Sequence, residues 1–388
     1  MQKPFDLYSP EIDANPFPMY EWLRETAPAY WNERDQYWVL SRYEDVSRAA
    51  QDWETFSSTS GNLIDEIPGR TGATLGTTDP PRHDRLRALA NSAFMKKNLD
   101  HVIEPVHAIA NEAIDAILKK KQFDFIGDFS STITVKVLMR MLGLPEMEPA
   151  EIRNKVVLAI STDRVTRGRN PELDAAFKWI ADFIQAEVEK RRKEPQDDLV
   201  TRLAEAEIDG DRLSDREVML TTATFVMAGI ESLSSFMTTF ALNMHDYPQA
   251  RARIISDPKL TPWAIEESLR FNTSAQRFKR TTAKECELHG QALKPGQRVI
   301  LAYGSANRDY RKFEEPDTYN IDRKPLGHLG FGSGKHYCLG APLAKIVVEE
   351  AMNIFLRRIP QFKRTTPQLD WVSSSNFRSP VKLPFEVQ

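Results

Sequence analysis

The chain of 388 residues has little cysteine, no strong excess of charge and no long apolar run. Its two cysteines, Cys286 and Cys338, exclude a disulfide-built secreted scaffold and a zinc site made of four cysteines. The 52 basic and 55 acidic side chains give a net charge of −3, which argues against a dedicated nucleic-acid-binding protein. Because neither an apolar signal segment nor a continuous apolar stretch of about 18 residues is present, we expect a cytoplasmic protein without a spanning helix.

Apolar residues make up 41% of the chain and recur mostly at helical spacing. This pattern predicts one domain over residues 1–388 that is mainly α-helical with a minor β region. We expect the helices mainly in residues 80–270 and 338–358, and the strands in residues 29–41, 284–302 and 362–388.

The most apolar helix is predicted over residues 214–245. Ser214 and Glu217 form a capping-box pattern at its start. The stretch from Leu220 to Phe240 is apolar nearly all round, so this helix should be buried. A glycine and a carboxylate inside it, Gly229 and Glu231, are both costly. Either Gly229 permits close packing and Glu231 has a buried partner, or both serve chemistry.

The most specific pattern is the segment from Phe331 to Gly340, which reads Phe-Gly-Ser-Gly-Lys-His-Tyr-Cys-Leu-Gly. Its three glycines let the backbone turn tightly and approach a flat partner closely. Cys338 stands at the start of a helix predicted over residues 339–358, where free N–H groups and the helix dipole stabilise an anion. We therefore expect a lowered thiol pKa and a dry thiolate that suits one metal-centred cofactor. A buried structural cysteine is the alternative.

This segment resembles the haem-binding signature of bacterial cytochrome P450 enzymes, and the similarity continues in order from Pro16 to the C-terminal strands. The resemblance implies the cytochrome P450 fold, a triangular-prism helical domain that holds haem b between a long buried distal helix and a proximal cysteine loop. It implies that Cys338 is the axial ligand of the haem iron. The other haem-binding residues that it implies are Phe331 beside the sulfur, Gly332, Gly340, Ala228, and, at the propionates, His83, Arg87, Arg280 and His336.

The segment from Ala228 to Ser232 resembles the oxygen-activation motif of the same family. In that motif Gly229 leaves room for O2, and Glu231 and Ser232 organise a proton chain. Ser232 stands where threonine is usual, and it keeps the hydroxyl without the methyl group that restricts the rotamer. We expect proton delivery to persist with looser control.

Glu267 and Arg270 lie three residues apart on a helix predicted over residues 262–270. An exposed pair of this kind stabilises little, but the resemblance implies a buried structural latch. Many members complete the latch with an arginine in a Pro-x-Arg-aromatic stretch, and residues 316–319 lack it. Arg323 and Asn320 are the candidates to replace it.

The resemblance implies a haem-thiolate monooxygenase that inserts one atom of O2 into a C–H bond of a small hydrophobic substrate, or dealkylates an alkoxyaromatic. A peroxide-driven peroxygenase and a non-catalytic haem sensor are the alternatives. Peroxide-using relatives carry Arg-Pro in place of the acid-alcohol pair, which this chain retains as Glu231 and Ser232. A sensor gives no reason for that pair.

Electrons are expected from a separate iron–sulfur ferredoxin and its NAD(P)H-dependent reductase, because the chain has no flavin or iron–sulfur motif. Lys335, Arg357 and Arg358 are candidates for part of a basic face on which the ferredoxin docks. We expect a monomer without nucleic-acid or membrane partners.

By position in the family, substrate contacts are expected from residues 62–75, 159–166, 224–232 and 273–276. The individual contact residues predicted there are Ile64, Leu75, Phe225, Ala228, Thr273 and Ala275. Three basic residues of the nearby loop either select a carboxylate or are exposed loop charges: Arg164, Arg167 and Arg169.

Overall fold

A computed structural model describes residues 5–94, 99–208 and 210–388. Helices form most of the architecture. In chain order they are α1 (Pro10–Ala14), α2 (Phe17–Thr26), α3 (Tyr43–Gln51), α4 (Arg82–Phe94), α5 (Ile103–Lys120), α6 (Ser131–Leu142), α7 (Pro149–Ala159), α8 (Pro171–Lys193), α9 (Leu199–Glu205), α10 (Asp215–Asp246), α11 (Pro248–Ser256), α12 (Thr261–Phe271), α13 (Tyr303–Ala306) and α14 (Ala341–Arg358).

The strands form small sheets at the edge of the helical body. They are β1 (Ala29–Asn32), β2 (Tyr37–Leu40), β3 (Phe56–Ser57), β4 (Gln122–Asp124), β5 (Glu207–Ile208), β6 (Asp211–Arg212), β7 (Phe278–Thr282), β8 (Cys286–Leu288), β9 (Gln291–Leu293), β10 (Arg298–Leu301), β11 (Phe362–Arg364) and β12 (Pro384–Val387). The largest sheet has the order β1-β2-β10-β7-β3, in which only β2 and β10 pair in parallel. A second sheet has the order β11-β12-β4, and β5–β6 and β8–β9 are two-stranded ribbons.

Helix α10 runs through the centre of the helical body and extends about 48 Å at 1.5 Å per residue. Its start confirms the predicted capping box: Ser214 Oγ accepts from the Glu217 amide, and the Glu217 carboxylate accepts from the Ser214 amide at 3.0 Å. It contacts α6, α7, α8, α9, α12 and α14. Within the part of the chain that the structure describes, α10 alone is long and apolar enough to cross a bilayer, and 78% of its most apolar window is buried. Its apolar surface is therefore used by the core.

The predicted helical and β ranges contain finer features. Helix α6 begins at Ser131, after a wide π-helical turn at Phe125–Ser130. Within the β region predicted over residues 284–302, β8 and β9 form a hairpin whose turn is His289 and Gly290, with φ of 51° and 73°. Strand β7 lies outside the ranges predicted for strands, and pairing with β10 positions it.

Candidate active site

A cavity of about 330 Å³ lies between α10 and the loop that precedes α14. We call the part lined by residues 330–340 the proximal wall. The distal wall is the part lined by residues 224–236 of α10 together with residues 62–76, Phe94, residues 138–142, Ile160, residues 274–278 and Phe377. All nine haem-binding residues implied by the sequence line this cavity.

The proximal wall is a loop closed by its own backbone. The Cys338 amide donates to the Phe331 carbonyl at 2.9 Å, and Gly332 and Gly334 have φ of 72° and 68°, which favours glycine. At Gly334 the loop touches α3: a Cβ there would lie 2.7 Å from the Ala50 carbonyl oxygen. The glycines thus allow both the turn and the close approach.

Cys338 is exposed, and it lines the cavity. Burial raises the pKa of the Cys338 thiol, and the backbone amides of Gly340 and Ala341, with the charge of Arg87, only partly offset this effect. The expected lowering of the thiol pKa is therefore wrong for the free thiol. Helix α14 begins three residues after Cys338, so desolvation outweighs the helix terminus. Coordination to a metal ion removes the proton from such a thiol.

One end of the cavity gathers hydrogen-bond donors. The rings of His83 and His336 are 4.5 Å apart. The Nε2 atoms of both are buried without a close hydrogen bond in the described chain, although His336 Nε2 lies 3.7 Å from Asp79 Oδ1 and His83 Nδ1 lies 3.0 Å from Asp84 Oδ1. Arg87 donates to the Lys335 carbonyl at 3.1 Å and Arg280 to that of Lys279 at 2.8 Å, and the described chain provides neither arginine with a carboxylate partner.

Burial lowers the pKa of His336 to about 4 and also lowers that of His83, so both imidazoles are neutral near pH 7. Two arginines that pair with no carboxylate among the described residues, beside two imidazoles, fit a ligand with two carboxylates, such as the propionates of haem. With the thiol facing the same cavity, the residues present fit this cofactor.

The comparisons with known proteins agree with this geometry. The family model for cytochrome P450 matches residues 14–369. The chain belongs to the cytochrome P450 family. Cytochrome P450 123 of Mycobacterium tuberculosis is 32% identical over 99% of this chain and 96% of its own length. Mycinamicin IV hydroxylase/epoxidase of Micromonospora griseorubida is 32% identical over 94% of each chain.

A solved structure supports the same assignment. CYP109E1 from Bacillus megaterium, in complex with testosterone, superposes with a TM-score of 0.89 and 27% identity over 98% of this chain and 100% of that chain. The protein is thus a cytochrome P450 monooxygenase with the fold expected from the sequence. The family implies a haem-thiolate cofactor, O2, an organic substrate and a source of electrons.

In this cytochrome P450 the segment from Ala228 to Ser232, which is predicted to activate oxygen, lies partly at the cavity and partly in the core. Gly229 and Ser232 line the cavity, and the Ser232 hydroxyl donates to the Ala228 carbonyl one turn earlier. Glu231 does not line it: its Oε1 accepts from Ser235 Oγ at 2.8 Å, and its Oε2 is buried without a partner among the residues described. Burial raises the pKa of Glu231, although the charge of Arg153 opposes this. The side chains of Glu231 and Ser232 form no hydrogen bond with each other.

Gly229 also makes a close packing contact. A Cβ at this position would lie 2.6 Å from Leu138 Cδ1, and Leu138 itself lines the cavity. The explanation that Gly229 permits close packing is therefore supported, and Gly229 also lies beside the cavity.

The Glu267–Arg270 latch is fully buried. Two hydrogen bonds of 2.8 Å join the carboxylate and the guanidinium, and Arg270 also donates to three carbonyls within residues 307–318. Both candidates for the missing arginine donate to Glu267 Oε1. Arg323 donates through Nε at 3.3 Å, and Asn320 donates through its backbone amide at 2.9 Å. Arg323 therefore supplies the second guanidinium from a position further along the chain.

Four predicted substrate contacts line the cavity: Leu75, Phe225, Ala228 and Ala275. The predictions for Ile64 and Thr273 are wrong. Ile64 is buried in a separate apolar cluster with the N-terminal segment, and its neighbour Leu63 faces the cavity. Thr273 is buried behind the wall, where its carbonyl accepts from Gln276, and the adjacent Ser274 faces the cavity.

Sequence reasoning missed part of the distal wall. The omitted apolar members come from segments far apart in the chain, and in sequence they are indistinguishable from core residues: Phe94, Leu142 and Phe377. The omitted polar members are Asn62 and Arg70, which lie in a segment that was expected to face substrate.

The three arginines of the loop at residues 164–169 all form ion pairs, and none of them lines the cavity. Arg164 pairs with Asp13, Arg167 with both Asp6 and Asp35, and Arg169 with Asp174. Arg164 is an exposed loop charge, as one interpretation of the sequence expects, whereas Arg167 and Arg169 are partly buried.

The residues suggested for a docking face are partly neutralised. Lys335 pairs with Asp84 at 2.9 Å, and Arg358 pairs with Asp115 at 2.6 Å. Arg357 is exposed.

Proposed function

We propose that this cytochrome P450 binds haem b through Cys338 and hydroxylates a small, mainly hydrophobic molecule. Oxidation at a carbon that bears an ether oxygen would give O-dealkylation of an alkoxyaromatic. One observation carries the proposal: a single cavity has a thiol on one wall, two arginines and two histidines at one end, and a mainly apolar wall on the α10 side.

Bound haem supplies the activation of O2 and the oxidation of the substrate. Cys338 would hold the iron. Arg87 and Arg280 would each hold a propionate in a two-pronged contact. His336 would donate to the same carboxylates from Nε2, whereas His83, whose Nδ1 lies 3.0 Å from Asp84 Oδ1, would donate from Nε2 only when its ring is protonated. These contacts also satisfy buried nitrogens that are otherwise costly.

The distal wall orients the substrate and excludes water through apolar side chains such as Leu75, Leu138 and Phe225. Ser232 would hold a proton at its Oγ. Because that hydroxyl donates to the Ala228 carbonyl, its lone pairs remain available to a group in the cavity. Rotation of the hydroxyl would then turn its proton towards the cavity, and Oγ would accept a proton from a solvent water molecule as it passes its own proton on, which is a proton relay.

Electrons would come from a separate iron–sulfur ferredoxin and its NAD(P)H-dependent reductase. Besides Cys338 the chain has only the thiol of Cys286, too few for an iron–sulfur cluster of its own. We further propose a cytoplasmic monomer. The burial of α10 supports a soluble body.

The first test is the absorbance spectrum of the reduced protein under carbon monoxide. A thiolate ligand shifts the Soret band far to the red, and we expect this shift in the wild type and in Cys286→Ser. Cys338→Ser should lose it, because a serine hydroxyl does not replace the thiolate. A wild-type protein that takes up no haem, or a Cys338→Ser variant with the wild-type spectrum, would contradict the proposal.

The second test separates the monooxygenase from the peroxygenase. We expect products with ferredoxin, its reductase and NAD(P)H, and little product with hydrogen peroxide alone. Ser232→Ala should lower the ratio of product to NAD(P)H consumed. Thr224→Ala is the matched control, since Thr224 lines the same cavity and its hydroxyl likewise donates to a carbonyl one turn earlier. If Ser232→Ala and Thr224→Ala gave the same ratio of product to NAD(P)H consumed, Ser232 would have no specific role in proton delivery.

A further inference from the structure

The segment of residues 61–78 places a guanidinium in the otherwise apolar distal wall. Arg70 lines the cavity, and only 4% of its side chain is exposed. Its Nη1 donates to Glu66 Oε1 at 2.9 Å, and its Nε is enclosed without a partner in the described part of the chain. Nη2 is therefore the nitrogen that a molecule in the cavity can reach.

The surrounding segment holds this guanidinium in place. The Glu66 carboxylate accepts from the backbone amides of Asn62, Leu63 and Ile67 as well as from Arg70. The Arg70 carbonyl accepts from Thr77 Oγ1 at 2.7 Å. A donor fixed by so many contacts does not have to be ordered when a ligand binds, which favours recognition.

A second polar group lies beside it in the same wall. The Asn62 side chain packs on Gly76, where a Cβ would lie 2.9 Å from Asn62 Nδ2, and its Oδ1 is buried without a partner among the described residues. Both Asn62 and Gly76 line the cavity. Polar side chains with incomplete hydrogen bonding are thus concentrated in one part of the distal wall.

The charges around Arg70 are paired with opposite charges. Glu66 and Asp65 oppose Arg70 and the nearby Lys279, which is buried on β7. Arg169, another cation whose charge acts on Arg70, pairs with Asp174 at 2.6 Å. A carboxylate from a ligand would add an uncompensated negative charge to a buried site, which is costly. A neutral oxygen acceptor would satisfy the guanidinium without that cost.

We propose that Arg70 determines specificity by donating a hydrogen bond from its guanidinium to a neutral acceptor oxygen, a ketone, ether or hydroxyl, on a mainly apolar substrate. This inference rests on the proposed function, because it assigns the substrate class of the same site. It also gives the substrate an orientation, since the acceptor oxygen is held at the segment of residues 61–78 and the carbon to be oxidised lies elsewhere in the molecule.

Three matched compounds test the proposal on the haem-loaded protein: 4-tert-butylcyclohexanone, tert-butylcyclohexane and 4-tert-butylcyclohexanecarboxylate. The dissociation constant of each is measured from the change in the Soret band. In the wild type the ketone should bind about tenfold more tightly than the hydrocarbon, as expected for a hydrogen bond from a charged donor. The carboxylate should bind more weakly than the ketone.

Arg70→Leu should abolish the preference for the ketone. Arg70→Lys retains a positive charge for Glu66 and should reduce the preference, which keeps the test usable where Arg70→Leu does not fold. Arg216→Gln is the control, because Arg216 is exposed and supports the same segment through the Gly69 carbonyl at 3.0 Å without lining the cavity. It should retain the wild-type preference.

The proposal is overturned by an unchanged ketone preference in both Arg70 variants, by tighter binding of the carboxylate than of the ketone, or by no ketone preference in the wild type, including no binding at the solubility limit. The carbon monoxide spectrum of each protein is recorded first. A failure of the haem-thiolate assignment would appear there, before any of the compounds is added.

Discussion

The two walls of the cavity are built in different ways. The proximal wall is one continuous stretch, residues 330–340, held by hydrogen bonds within itself and by its contact with α3. The distal wall combines α10 with segments as far apart as Phe94, Ile160 and Phe377. The first wall is specified by local backbone geometry, and the second by how the whole chain packs.

This difference suggests different tolerance to substitution. Changes in or under the proximal wall should disturb a backbone that cannot move, with large effects on stability and on retention of haem. Changes in the distal wall should mostly alter the shape and polarity of the space available to substrate. The predictions below test that contrast.

The largest effect is expected at the latch beneath the proximal wall. Glu267→Ala leaves the fully buried Arg270 without its carboxylate, and breaking such a pair costs about 3–5 kcal/mol. Urea unfolding and the rate of haem loss measure the effect. The control is Asp322→Ala, which breaks an exposed pair with Arg253 and should cost about 1 kcal/mol or less. If Glu267→Ala and Asp322→Ala lost similar free energies of unfolding, the buried pair of Glu267 and Arg270 would stabilise the fold no more than an exposed pair does.

Gly334→Ala tests the proximal wall itself. A side chain at φ of 68° is strained, and its Cβ would lie 2.7 Å from the backbone of α3, which cannot yield easily. We expect a loss of about 2–3 kcal/mol and a weaker hold on haem. Gly290→Ala is matched in backbone conformation, at φ of 73°, but meets nothing within 4 Å, and should cost about 1 kcal/mol. Equal costs would mean that the contact with α3 does not matter.

The same contrast explains what the sequence could reveal. The residues predicted to bind haem could be located from the sequence because glycines, a cysteine and an aromatic at fixed spacing describe one loop, and because His83 and Arg87 are four residues apart on α4. Long helices such as α10 were identifiable from their apolar period and capping box.

Other features depend on contacts between distant parts of the chain. Whether Leu63 or Ile64 faces the cavity, and whether Arg167 meets Asp6 and Asp35, is decided by tertiary packing. The pKa of Cys338 was predicted in the wrong direction because the extent of its burial is not a local property of the sequence.

Gly229→Ala tests the distal wall, where we expect little loss of stability and a change in ligand binding. The added methyl group meets the end of a flexible side chain, Leu138 Cδ1, and alanine favours the helix, so the free energy of unfolding should change by less than about 1.5 kcal/mol. Leu138 would be displaced towards the cavity, which should weaken ligand binding measured by the Soret shift. The double variant Gly229→Ala, Leu138→Ala should restore room for the ligand. A large loss of stability with unchanged binding would contradict the contrast.

The smallest effect is expected from the pH dependence of stability, where two carboxylates on α10 should act in opposite directions. Burial raises the pKa of Glu231, so above its ordinary value of about 4.3 the folded state holds a proton that the unfolded state releases. Glu231 therefore lowers stability as pH rises through that value towards the raised pKa. Glu231→Gln should be slightly more stable than the wild type near pH 7, and the difference should disappear in more acidic solution.

Glu217 provides the matched comparison at the start of the same helix. Burial raises the pKa of Glu217, but hydrogen bonds from Ser214 and the guanidinium of Arg82 lower it overall. Its contribution is present above the ordinary carboxyl pKa and lost as pH falls through the lowered one, so Glu217→Gln should be less stable than the wild type near pH 7. Urea unfolding at several pH values measures both variants. The same sign for both would refute the comparison, whereas opposite signs would show that Glu231 is kept in α10 at a cost in stability, as expected of a residue retained for chemistry.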